Sequence, residues 1–124
     1  MNEKKLLGRW GESLAAEYLR KKRYKILGMS YNTRMGEVDI IAENREFVAF
    51  VEVKLRKCAD FAAAREFVDT RKQRRVMAAA ALWLQQNETK KQPRFDVIEI
   101  YAPEGAKTEK PEITHPEGAF WERT

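Results

Sequence analysis

Apolar residues recur along this chain with two periods, and each period marks an element. Over residues 6–22, Leu7, Trp10, Leu14 and Tyr18 fall at three- and four-residue spacing, the mark of one helical face. Gly8, Gly11 and Ala15 widen that face with small side chains that permit close packing. Arg20, Lys21, Lys22 and Arg23 end the segment with positive charge, which complements a helix dipole. Three apolar runs follow at residues 24–31, 37–42 and 47–55, the last two separated by the polar turn Glu43-Asn44-Arg45-Glu46. The second and third runs are apolar on both faces, which predicts central strands. A second helix is predicted from Asp69 or Thr70, either of which suits an N-cap, to about Gln86, with Val76, Ala80 and Trp83 facing inward. Residues 94–101 read as a fourth strand. Residues 57–67 read as irregular or partly helical and 103–111 as a polar loop, and Phe120 with Trp121 forms an apolar pair able to pin the tail.

The order αβββαβ predicts an α/β fold in which helices flank a mixed sheet. At 124 residues the chain fits a single domain over 1–124, with 103–124 as loop and tail. It contains no internal repeat.

Three charged residues interrupt the apolar strands: Asp39, Glu52 and Lys54. Buried charge is costly unless it is paired or bound to a metal. Glu52 and Lys54 are two residues apart, so they share a face of their strand. If Asp39 lies opposite Glu52, residues 44–47 form a four-residue loop, an ordinary hairpin length. Two neighbouring carboxylates repel each other, and a divalent cation between them removes that cost; hard oxygen ligands suit Mg²⁺ or Mn²⁺. Such a centre supports phosphodiester hydrolysis by polarising the phosphoryl oxygen and lowering the pKa of bound water. Lys54 is then placed to orient the water or to meet charge developing on the phosphate. Glu12, at the margin of the first helical stripe, is a carboxylate able to reach a neighbouring element. The tripeptide alone carries little: Glu-x-Lys also occurs at Glu3 and at Glu88, and only the middle copy lies in an apolar strand preceded by an aspartate. A hairpin in which Glu52 and Lys54 form a same-face ion pair fits the same spacing.

Lys and Arg total 24 against 19 acidic residues, a net charge of +5 that favours polyanionic partners. Arg71, Lys72, Arg74 and Arg75 open the second helix, where a phosphate would gain both backbone N–H groups and side-chain charge. Arg56 and Lys57 follow the Glu-x-Lys strand, and Gln73 is placed to project toward it. Together these seven residues form a candidate surface for a nucleic-acid backbone, whose contacts position a substrate without reading its sequence. A solvated basic face is the alternative. The aromatic residues fall at core spacing and offer no stacking platform for bases. Asp96 reads as a structural partner for an arginine at the core edge, and His115, in Thr-His-Pro-Glu-Gly, as a turn residue. The single cysteine, Cys58, excludes an intramolecular disulfide. With no signal-peptide pattern and no apolar run of membrane-spanning length, a soluble cytoplasmic protein without membrane contact is expected.

Gly8-Arg9-Trp10-Gly11-Glu12 with Ala15-Ala16-Glu17-Tyr18-Leu19 resembles the opening of the YraN-like family of small bacterial proteins. Asn32-Thr33-Arg34, Gly36-Glu37-Val38-Asp39-Ile40-Ile41-Ala42 and Phe50-Val51-Glu52-Val53-Lys54-Leu55-Arg56 are similar to its central signature. Lys72-Gln73-Arg74-Arg75 and Arg94-Phe95-Asp96-Val97-Ile98 are similar to its later blocks. The resemblance covers about residues 8–100. It implies a restriction-endonuclease-like fold, similar to archaeal Holliday-junction resolvases, in which Asp39, Glu52 and Lys54 match the signature and Glu12 completes the metal set. It further implies DNA as partner, in branched or flapped form, and a homodimer. Two departures stand out: Ala62-Ala63-Ala64-Arg65-Glu66 replaces a glycine-containing loop, and Arg23 stands where a glycine is common. The expected activity is metal-dependent DNA cleavage. The rivals are a nucleic-acid-binding module of the same fold without turnover, and a protein-interaction domain whose charges form a structural network.

Overall fold

The computed structural model describes residues 3–57 and 70–120. Helix α1 (Glu3–Lys21) leads into strands β1 (Lys25–Asn32), β2 (Glu37–Glu43) and β3 (Phe47–Arg56). Helix α2 (Thr70–Gln86), strand β4 (Gln92–Tyr101) and the short strand β5 (Glu112–Thr114) follow. The strands lie in chain order in one sheet. β1, β2 and β3 form an antiparallel meander, β4 runs parallel to β3, and β5 is antiparallel to β4. This is the αβββαβ arrangement of a restriction-endonuclease-like fold with one strand added at the edge. Asp69, residues 58–67 and Trp121 lie outside the described residues.

The sheet divides the core in two. Ile40, Ala42, Ala49, Val51, Ile98 and Ile100 pack against α1, while Ile41, Val48, Phe50 and Val97 pack against α2. Both faces of β2 and β3 are therefore apolar, as central strands require. The hairpin register runs from Glu43↔Val48 to Ile40↔Val51, leaving the expected loop at 44–47. Asn44 closes that loop by accepting the N–H groups of Glu46 and Phe47 on its side-chain oxygen.

The expected stripe of α1 is rotated from its predicted centre. Gly11, Ala15, Ala16 and Leu19 are its buried residues, and Trp10, Leu14 and Tyr18 flank them. The small residues bring the helix close to the sheet: a Cβ on Gly11 would stand 3.1 Å from Leu55 Cδ2. At the end of α1, Tyr24 N–H donates to the Leu19 carbonyl and Arg23 N–H to that of Arg20. That pair of bonds is a Schellman cap, whose turning residue is Arg23 at φ 71°. The conformation suits glycine and costs another residue about 1 kcal/mol.

Two features of the tail differ from the sequence reading. β5 contributes one inward apolar residue, Ile113, so it has no readable period and is defined by its backbone pairing with Glu99, Ile100 and Tyr101. His115 is not a free turn residue. Its side chain is 2% exposed, and Nε2 lies 2.8 Å from Asp96 Oδ2. Lys22 Nζ lies 3.3 Å from Nδ1; an ammonium only donates, so Nδ1 accepts and Nε2–H donates to Asp96. Asp96 also takes both Arg94 Nε and a terminal Arg94 nitrogen, at 2.8 and 2.7 Å, and the Gly118 N–H at 3.0 Å. Asp96 is thus the expected arginine partner and, beyond that, the hub that ties residues 115–118 to β4. Phe120, buried as expected, stacks on Phe95 with 5.2 Å between ring centres. Among the described residues no helix is long and apolar enough to cross a membrane.

Candidate active site

The β2–β3 ladder stops at Ile40↔Val51, while β2 stays paired with β1 as far as Glu37. The strands therefore fork at the point where Asp39 and Glu52 would face each other. Asp39 fills the fork: its Oδ2 accepts the Val53 N–H at 2.9 Å. Glu52 alternates with Val51 and Val53, so it sits on the α2 face of β3. It is 4% exposed. Its Oε1 lies 3.5 Å from Lys72 Nζ, and its Oε2 is buried with no hydrogen-bond partner.

Lys72 is one turn ahead of Val76 on the inward stripe of α2. Its ammonium meets Glu37 Oε1 at 2.9 Å as well as Glu52. The helix is set at this height by Gly36, where a Cβ would stand 1.8 Å from the Arg75 carbonyl oxygen. Thr33 shapes the turn before it, its hydroxyl oxygen accepting the Met35 and Gly36 N–H groups. Gly36→Ala must therefore push α2 outward. A loss of about 1–3 kcal/mol in urea unfolding is expected, the usual cost of overpacking, and an unchanged midpoint would contradict the close contact.

Glu12 approaches from the α1 side, where the Ser30 hydroxyl donates to it at 3.1 Å. Burial first, and then the charge of Asp39, raise its pKa, so Glu12 and Asp39 share one field. Among the described residues, however, no three acidic, histidine or cysteine side chains converge as a ligand set. Glu12 lies on the α1 side of the sheet and Glu52 on the α2 side, and Glu12 meets the pair through the charge of Asp39. Lys54 shares the face of Glu52 and its charge favours the ionised carboxylate, but the ion pair that Glu52 makes is with Lys72.

Burial, and then the charge of Asp39, push Glu52 up to about 8. Asp39 is raised too, chiefly by burial and against the Val53 hydrogen bond. Lys72 stays charged: burial opposes its charge, but the Glu37 hydrogen bond and the charges of Glu52, Glu37 and Asp39 outweigh it. The sign of the resulting pH dependence is fixed. Between 4.5 and about 8 the unfolded chain releases the Glu52 proton that the fold retains, so stability falls as pH rises through this window. Glu52→Gln is expected to stabilise the fold by about 1–3 kcal/mol at pH 8, the scale of an unsatisfied buried group, and to have little effect near pH 4. Denaturant titrations at the two pH values test this; an equal difference at both would contradict it.

Of the other expected binding residues, Arg71, Arg74 and Arg75 are placed on the first turns of α2, and Lys57 is exposed after β3. Gln73 and Arg74 line a groove of about 520 Å³ between α2 and β4, with Met77, Leu84, Pro93 and Phe95. Arg56 is turned to an acid within the fold, its Nε 3.8 Å from the Oε1 of buried Glu99. The sequence reading groups Lys72 with the surface cations and passes over Glu37 and Ser30. The spacing of Lys72, Val76, Ala80 and Trp83 carries the missed signal, because it puts Lys72 on the buried stripe.

Residues 11–100 match the uncharacterised protein family UPF0102, the YraN family that the motifs resemble. A UPF0102 protein of Caldanaerobacter subterraneus subsp. tengcongensis is 41% identical over 119 residues, covering 94% of this chain and 96% of its own. One from Syntrophomonas wolfei subsp. wolfei is 42% identical over 120 residues, covering 92% and 96%. One from Alkaliphilus oremlandii is 40% identical over 123 residues, covering 97% and 100%.

Proposed function

We propose that this chain, which belongs to family UPF0102, is a divalent-cation-dependent nuclease acting on DNA. The observation that carries the reading is the Asp39–Glu52 pair at the strand fork, with Glu52 Oε2 buried and unpartnered. A buried carboxylate oxygen without a protein donor is costly; the fold meets that cost with a retained proton, which a divalent cation can replace. The donor set is hard oxygen, which suits Mg²⁺ or Mn²⁺. Asp39 and Glu52 would hold the ion, with Glu12 acting through the field it shares with Asp39. When bound, the ion supplies Lewis acidity toward a phosphoryl oxygen and makes water more acidic.

The chain's own residues supply the rest. Lys54, on the same face as Glu52, meets negative charge developing on the phosphate. Arg71, Arg74, Arg75 and Lys57 present a cationic rim to a phosphate backbone, and the start of α2 adds backbone N–H groups. Such contacts place a substrate by its backbone and shape, which is compatible with branched or flapped DNA.

The test is cleavage of labelled linear, flapped and four-way DNA with Mg²⁺ or Mn²⁺ by the wild type and Lys54→Ala. The wild type is expected to cut at least one substrate, and the variant to bind it without cutting. Salt-dependent binding with no cleavage of any substrate would favour a binding module, and no binding at all would remove both readings.

A further inference from the structure

We infer that Lys72 is the internal counter-ion of the carboxylate pair, a positioning residue that holds Glu52 by one oxygen and sets how tightly the pair takes a divalent cation. This inference rests on the nuclease reading of the same site.

Lys72 comes from a different element than the strand residues, and its place is over-determined. The Gly36–Arg75 backbone contact fixes the height of α2, and the inward stripe fixes the direction of the side chain. Its ammonium is shared unequally, 2.9 Å from Glu37 Oε1 and 3.5 Å from Glu52 Oε1. Glu37 therefore acts as a tether that draws the ammonium part of the way off Glu52. The hold on Oε1 leaves Oε2 of the same carboxylate without a protein donor. A fixed cation on one oxygen and an unpartnered second oxygen have two consequences. The carboxylate is oriented before any ion arrives, and an arriving ion must bind against the repulsion of a fixed positive charge a few ångströms away. The site is thereby kept from binding cations as tightly as its carboxylates alone would.

The test uses the whole chain and Mn²⁺ alone, with free Mn²⁺ followed by its electron paramagnetic resonance signal. Lys72→Met keeps the apolar stem and removes the charge. It is expected to tighten Mn²⁺ binding at least about fivefold, the effect of one unit charge at about 4 Å in water. Lys72→Arg keeps the charge and is expected to stay near the wild-type affinity. Lys72→Gln, if Lys72→Met does not fold, must tighten binding in the same direction. Unchanged or weaker binding by the charge-removing variants, with the wild type binding Mn²⁺, overturns the counter-ion role and leaves the metal site standing. Failure of folded wild type to bind Mn²⁺ overturns both.

Discussion

Asp96→Ala is expected to cost this fold about 3–5 kcal/mol, more than either the Gly36 or the Glu52 substitution changes it. Asp96 is 0% exposed and accepts from four donors: two nitrogens of Arg94, one of His115 and the Gly118 N–H. Arg94 in turn donates to the Tyr24 hydroxyl and lies over the Phe47 ring, 4.6 Å from its centre. Removing the carboxylate strands a mostly buried guanidinium, which is the costly half of breaking a buried ion pair. It also releases residues 115–118 from β4, and with them the backbone bonds from Val97 to Pro116 and from Ala119 to Phe95. For a domain of this size a fall in melting temperature of roughly 10–20 °C follows. Burial opposes ionisation of Asp96, but the hydrogen bonds from His115, Arg94 and Gly118 outweigh it and hold the carboxyl below its ordinary range. Its contribution is therefore present above pH 3.8 and lost as pH falls through the lower folded value. Thermal melts followed by circular dichroism check this; a loss under about 1 kcal/mol at neutral pH would show that the hub does not carry the tail.

The second large effect concerns cleavage. Asp39→Asn keeps the shape of the side chain and an oxygen for the Val53 N–H, so the fork is expected to survive. It removes one of the two charges that would hold the cation, and with it the second-largest cause of the raised Glu52 pKa. A fall of at least about 10³-fold in single-turnover DNA cleavage is expected, because metal and oxyanion-type stabilisation each supply several kcal/mol. DNA binding, carried by the cationic rim, is expected to keep its wild-type salt dependence. A rate within about tenfold of the wild type would remove Asp39 from the reacting centre.

The strand hairpin is legible in the sequence because burial on both faces leaves few alternatives for residues 37–42 and 47–55. Its register follows from placing Asp39 opposite Glu52, and the ladder from Glu43↔Val48 to Ile40↔Val51 agrees with it. The fork beyond that ladder is not legible. It depends on a side chain taking a backbone donor, which leaves no trace in periodicity. The rotation of α1 is hidden for a related reason. Hydrophobic size points to Trp10, Leu14 and Tyr18, but depth of packing is set by the small residues Gly11, Ala15 and Ala16. His115 is misread because its partner, Asp96, is 19 residues away and meets it only through the return of the tail along β4. Lys72 is legible in part: its charge draws attention, while its stripe position is easily overlooked. The resemblance carries Glu12 to the site, where it shares the field of Asp39 from the α1 side of the sheet.

The reading of this protein as a nuclease depends on whether Asp39 and Glu52 take up a divalent cation. Titration of Mn²⁺ into the wild type, Asp39→Asn and Glu52→Gln tests that without reference to any substrate. A saturable site in the wild type is predicted, weakened at least about tenfold in each variant, since even outer-shell changes cost that much. Equal affinity in all three proteins would place the ion elsewhere and contradict the assignment of this carboxylate pair as the metal site.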